Sequence, residues 1–188
     1  MKIVANKRHH IAFSSVALVG LAASGAAGVA SVLFYMSVYV VMTLGAFLVV
    51  LRMRDANDQP VETIASLSGL SRTRPMLALA MAIFMFSLAG IPPLFGFVPK
   101  LMVFNAAVEA HLTWLAAVAI ATSVIGAYYY IMIVKLMYFD EPAPAFAKTR
   151  DRVGGALILA SALFVSPLGY LAWNYLDLAT QNAAQALF

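Results

Sequence analysis

SLAGIPPLFGFVPKLMVF, residues Ser87–Phe104, decides how the chain is read. It is almost wholly apolar, yet it holds Gly90, Pro92, Pro93, Gly96, Pro99 and the cation Lys100. Proline has no backbone N–H and breaks a helix interior, and the residue before a proline resists the α conformation. A lysine in an apolar run is costly and marks function when it persists. The stretch sits inside a longer apolar run, from Pro75 to about Ala107. As one helix that run would measure roughly 48 Å, against about 30 Å of bilayer hydrocarbon. It is therefore predicted as two half-helices separated at Gly90-Ile91-Pro92-Pro93, with Gly96 at the far edge of the break.

Composition sets the class. Of 188 residues, 63% are hydrophobic and 11% charged, whereas soluble domains have about 45–50% apolar and about 25% charged residues. Mean hydropathy is +0.90. A spanning helix needs about 20 predominantly apolar residues, and five runs qualify or come close: Ile11–Ala27, Val29–Leu51, Pro75–Ala107, Leu112–Phe139 and Val153–Leu176. The expected fold is all-α and polytopic, a single membrane domain over residues 1–188 with about five spans, the third broken. The first run, preceded by Lys2, Lys7 and Arg8, also fits a secretory leader. Between the second and third runs, Val61–Leu67 is predicted as a short amphipathic helix on the membrane interface. The chain has no cysteine, which excludes disulfides and thiolate chemistry. No charged tail points to nucleic acid.

The basic residues sort by side. Lys2, Lys7 and Arg8 precede the first run; Arg52, Arg54, Arg72 and Arg74 join the second to the third; Lys135, Lys148, Arg150 and Arg152 end or follow the fourth. Five spans put all three groups on one face, which the positive-inside rule makes cytoplasmic. The N-terminus is then expected inside and the C-terminus outside. Lys100 is the exception.

A break at Pro92-Pro93 frees carbonyls near Leu88 and Ala89 and amides at the start of the second half-helix, whose first turn suits Pro99. Such groups persist at membrane depth only inside protein or beside water, and broken helices are where transporters build ion sites. Desolvation and the positive end of the second half-helix disfavour charge on Lys100, while the freed carbonyls favour it. Opposed terms of this kind bring the charged and neutral forms close in free energy, as a proton carrier requires. The competing reading is that Lys100 snorkels outward past Asn105 and Glu109. Its place near the middle of the run favours the first.

Other candidates are weaker. Glu109 and His111, at the outer end of the third run, fit either a proton exit or a solvated loop. One of Tyr128, Tyr129 and Tyr130 should face Lys100 and order water, with Tyr129 the candidate, since neighbours on a helix point 100° apart. Lys135 fits an interfacial anchor or a proton entry. His9 and His10 fit proton collection or an ordinary interface position, and no metal spacing is present. Thr122 and Ser123 are expected to bond helix backbone. Gly20, Ala23 and Gly45 suit close helix contacts.

Phe86-Ser87-Leu88-Ala89-Gly90-Ile91-Pro92-Pro93-Leu94, followed by Gly96-Phe97 and Lys100, resembles the broken twelfth helix of the antiporter-like subunits of respiratory complex I, most of all the subunit N type of bacterial NADH-quinone oxidoreductase. Ala12-Phe13-Ser14-Ser15 with Gly20, Val32 to Phe47, Ile64 to Leu70, and Tyr128 to Pro142 resemble further stretches of that family, in order and at its spacing. The resemblance implies the last five of fourteen helices, with the C-terminus outside. It also implies proton translocation across the bacterial inner membrane, coupled to electron transfer from NADH to quinone in other subunits, with Lys100 as the proton carrier of the half-channel open to the outer side. No cofactor is implied in this chain; NADH, FMN, iron–sulfur clusters and quinone belong to other subunits. Implied partners are those membrane subunits, the family's preceding helices and the bilayer. The family's preceding glutamate and lysines have no counterpart here, and Leu18 and Pro99 depart from its pattern. A subunit of a multisubunit cation/proton antiporter or membrane-bound hydrogenase, or a non-transporting structural piece, stays open.

Overall fold

The structure, a computed structural model, describes residues 16–23, 25–54, 63–143 and 152–187. Lys2, Lys7, Arg8, His9, His10, Lys148 and Arg150 lie outside the described residues. Among the described residues, seven α-helices make the framework: α1 Gly25–Leu51, α2 Leu70–Thr73, α3 Pro75–Ala89, α4 Phe97–Glu109, α5 Thr113–Phe139, α6 Arg152–Val165 and α7 Trp173–Gln185. Residues 16–22 add a further helical stretch before α1. The chain is all-α and built for a membrane.

α1 is the central post, and α3, α4, α6 and α7 all pack on it. Phe34, Val38, Met42 and Val49 on α1 are wholly buried. Close approach is secured by small residues. A Cβ on Gly45 would collide with the Phe84 ring of α3, and one on Gly20 with the Val32 side chain. α5 packs chiefly against α3 and buries one stripe, Ala116, Ala119, Tyr130, Ile133, Val134 and Met137. Its outward side chains, among them Val118, Val124, Ile125 and Ile131, are equally apolar. A helix apolar all round belongs in a core or a bilayer.

The third run breaks where proline and glycine predict, with α3 ending at Ala89 and α4 starting at Phe97. The fifth run corrects the expectation of one helix over Val153–Leu176: α6 and the following segment meet at 73°. Pro167 supplies no N–H to continue α6. Ser166 Oγ instead accepts from the Leu168 N–H at 3.2 Å, and a 3-10 turn, Pro167–Ala172, leads into α7. Among the described residues, Gly25–Leu51 and Thr113–Phe139 are each long and apolar enough to cross a membrane, and the bent pair adds a third if taken as one span.

The two breaks hold each other. The Phe95 N–H donates to Val165 O at 2.9 Å. The Phe95 ring, fully buried, makes edge contacts with Phe164, Tyr170 and Trp173 at centroid distances of 5.5, 5.4 and 6.5 Å. A Cβ on Gly169 would meet that ring at 3.0 Å.

The basic connections converge at the opposite end of α1. Arg52 lies against Gly155 of α6. The Gly69 N–H donates to Leu136 O, and the Ala143 N–H to Ser68 O, each at 3.0 Å. The interfacial helix predicted over Val61–Leu67 is corrected: within it, Ile64–Leu67 forms a 3-10 turn. Leu67 and Leu70 are buried, and Gly69 turns the chain with φ 61°, so the segment packs inward on the end of α5; Val61 and Glu62 lie outside the described residues.

Phe95→Ala should remove the shared plug of both breaks and cost about 3–5 kcal/mol, as large aromatic truncations in packed cores do. Phe139→Ala, on a side chain 77% exposed, serves as the control. Thermal unfolding in lipid nanodiscs checks it; equal effects of the two changes would contradict the interlock.

Candidate functional site

A helix leaves its last four carbonyls without helical partners. On α3 these belong to Phe86, Ser87, Leu88 and Ala89. Gly90 follows in the left-handed region, φ 84° and ψ 40°, which glycine adopts without a Cβ penalty. Its N–H reaches Phe86 O at 3.1 Å and Ser87 O at 3.0 Å, and the Ile91 N–H returns to Phe86 O at 3.1 Å. This Schellman-type closure serves the first two carbonyls and leaves Leu88 and Ala89. Lys100 serves those: Nζ donates to Leu88 O at 2.7 Å and to Ala89 O at 3.3 Å. The lysine turns back to the break rather than outward, in the first turn of α4 and half-buried.

The electrostatics follow. Two carbonyl dipoles and the negative end of α3 favour the ammonium, while the positive end of α4 and loss of water oppose it. Gly90 is packed against the lysine stem, and a Cβ there would lie 3.2 Å from Lys100 Cδ. Gly96 is needed for close approach, because a Cβ would collide with the Ser87 carbonyl and hydroxyl oxygens. Ser87, fully buried, ties the far side of the break: its Oγ accepts from the Gly96 N–H at 3.0 Å and donates to Met42 Sδ at 3.1 Å. Leu94 N–H to Ile91 O, at 3.1 Å, closes the turn through Pro92 and Pro93.

The remaining candidates separate. Glu109 is exposed on α4 and lines a cavity of about 400 Å³ with Asn105, Ser31, Asp177 and Gln181. At 100° per residue that face of α4 points away from Lys100. His111 is exposed in the α4–α5 turn with φ 62°, a region where histidine is enriched among non-glycine residues. Of the three tyrosines, Tyr130 is the buried one. Tyr129 is half-buried, its ring 5.5 Å from that of Tyr128. Lys135 is exposed near the C-terminal end of α5. Thr122 Oγ1 donates to Ala119 O at 2.9 Å, as expected. Ser123 does not follow, because its buried Oγ has no hydrogen-bond partner among the described residues. No cluster of three or more His, Asp or Glu able to hold a metal occurs among the described residues. Sequence reasoning passed over Ser87, Phe95 and the pair Tyr35 and Tyr39. The i, i+4 spacing of Ser31, Tyr35 and Tyr39 was the visible signal for a polar stripe.

Residues 5–126 match the family model described as NADH:quinone oxidoreductase/Mrp antiporter, TM. The chain belongs to this family. NADH-quinone oxidoreductase subunit N of Rhizorhabdus wittichii is 61% identical over 184 residues, covering 95% of this chain and 38% of the relative. The protein of the same name from Sphingopyxis alaskensis is 50% identical over 189 residues, covering 97% and 40%. Two solved assemblies contain similar chains. The Mrp complex from Dietzia sp. DQ12-45-1b matches at TM-score 0.71 and 26% identity, covering 89% of this chain and 39% of the other. Respiratory complex I from Thermus thermophilus with bound aureothin matches at 0.69 and 26%, covering 90% and 44%. The chain thus spans about two-fifths of the length of the curated relatives it matches.

Gly90→Ala would force a side chain into a left-handed position and against Lys100. It should cost about 1–2 kcal/mol, read as a lower unfolding temperature. Gly90→Asn, which tolerates that region better, should lose less; equal losses would contradict the backbone reading.

Proposed function

We propose that this chain carries the outer-side proton-transfer site of a complex I membrane subunit, with Lys100 as the protonatable centre. The observation that supports this most is the pairing of Lys100 Nζ with Leu88 O and Ala89 O at a break inside a membrane helix, in a chain of this family. The Gly90 closure leaves those two carbonyls available, and the charged lysine binds them. On deprotonation the amine no longer offers an ammonium to those dipoles, and the proton can leave toward the outer side. The chain performs no bond-making chemistry of its own. NADH oxidation and quinone reduction, with FMN and iron–sulfur clusters, would take place in other subunits.

In this reading the chain lies in the bacterial inner membrane, with basic connections cytoplasmic and its C-terminus periplasmic. α3 and α4 together make one broken span, α6 and α7 one bent span, and the segment containing residues 16–22 the first of five. The other membrane subunits of complex I, the further helices of its longer relatives and the bilayer are its neighbours. A second reading, a subunit of a cation/proton antiporter, is favoured by the likeness to the Mrp complex chain. The 61% identity to a subunit N favours complex I. Co-purification with NADH-oxidising subunits distinguishes the two.

Lys100→Met, in the full subunit within assembled complex, should cut proton pumping per NADH oxidised strongly with assembly intact. Lys100→Arg is the sharper test. Arginine keeps the charge and the donors for both carbonyls but does not release its proton, so pumping should fall while stability holds. Acidification of inverted membrane vesicles, read beside NADH oxidation, measures both; wild-type pumping in either variant would contradict the carrier role.

A further inference from the structure

The Lys100 ammonium has a clear partner in the carbonyls of Leu88 and Ala89, and the structure also holds a polar group suited to receive it when it leaves them. Val103 and Ala107 of α4 cluster with Ala116 and Ala119 of α5 across the antiparallel hairpin. Continued one turn further along both helices, the same register would bring Lys100 level with Ser123. Ser123 lies on the same stripe of α5 as Ala116, Ala119 and Tyr130, since steps of three, four and seven residues return to one face. Its Oγ is buried and has no hydrogen-bond partner among the described residues. An unsatisfied hydroxyl at membrane depth costs free energy that neighbouring Thr122 avoids by bonding Ala119 O.

Further hydroxyls lie on the neighbouring faces of α1 and α5. Tyr35 and Tyr39 project from one stripe of α1, their rings 5.8 Å apart, and Tyr35 packs in the same cluster as Ala116 and Ala119. Tyr130 is buried and lies within electrostatic reach of both. Helical side chains lean toward their helix N-terminus, so Tyr130 reaches along α5 in the direction of Ser123.

We propose that Ser123 is a proton-relay residue for exchange at Lys100. Its hydroxyl accepts a hydrogen bond from Nζ when the ammonium leaves Leu88 and Ala89, and passes protons between Lys100 and the hydroxyls of Tyr130, Tyr39 and Tyr35. In one passage a proton moves from Nζ to Ser123 Oγ, the serine's own proton moves to the next hydroxyl and so along the row, the last hydroxyl gives its proton to water, and Lys100 is left as the neutral amine. Each hydroxyl ends with one proton, and no electrons change hands. The inference deepens the Lys100 reading and rests on it.

The test uses the full subunit in assembled complex, comparing Ser123→Ala, Ser123→Thr and Tyr130→Phe with Lys100→Met in the same vesicles. Ser123→Ala and Tyr130→Phe should each lower pumping per NADH severalfold with NADH oxidation and assembly retained, and Ser123→Thr, which keeps the hydroxyl, should pump like wild type. Wild-type pumping by Ser123→Ala beside a failing Lys100→Met overturns the role of Ser123 alone. Equal losses in Ser123→Ala and Ser123→Thr also overturn it, because packing rather than the hydroxyl would then matter. Wild-type pumping by Lys100→Met overturns the carrier reading and this inference together.

Discussion

Two carbonyl groups that no helix can use set the terms for this structure. α3 stops in the middle of an apolar run, and its last turn needs donors that a membrane interior does not provide. The backbone beyond Gly90 serves Phe86 and Ser87. Leu88 and Ala89 are left to a side chain from across the break. Only a lysine or arginine offers several donors on a long stem, and only lysine of the two changes protonation readily when buried. The interaction that completes the helix end is thus also one that loss of a proton would weaken. In the proposed function, structural need and proton transfer meet at one nitrogen.

A break of this kind needs support, because seven residues without α-helical bonds would otherwise let the two halves move independently. Support comes from three directions. Ser87 ties Gly96 to Met42 of α1. Phe95 reaches into the second break, where Val165 O and the rings of Phe164 and Trp173 receive it. Gly45 lets α1 approach Phe84 one turn before the site. Interiors packed this closely transmit displacement rather than absorb it. In the proposed mechanism, a displacement of Lys100 on losing its proton would therefore be felt at α1 and at the bend between α6 and α7 as well as at its own carbonyls.

Much of this was legible in the residues. Pro92, Pro93, Gly90 and Gly96 marked the break, and elementary helix geometry singled out the carbonyls of Leu88 and Ala89. The bend at Pro167 was missed because a single proline in an apolar run also fits a kinked but continuous span. The interfacial helix over Val61–Leu67 was mispredicted because a short apolar–polar alternation does not say whether its apolar side meets lipid or protein; Gly69 and the burial of Leu67 and Leu70 settle that. The choice of Tyr130 over Tyr129 as the buried ring depends on how α5 is rotated against α3, a tertiary quantity that local pattern does not contain. The Phe95 plug is likewise a product of packing between segments distant in sequence.

The most direct measurement is electron cryomicroscopy of the assembled membrane complex at a resolution that places the Lys100 side chain. Lys100 Nζ should lie at hydrogen-bond distance from Leu88 O and Ala89 O, near the 2.7 and 3.3 Å seen here, with Gly90 in the left-handed conformation beside it. A side chain running instead toward Glu109 and the outer surface, with the two carbonyls served by other groups, would contradict the coupling of helix break and lysine on which the proposed mechanism rests.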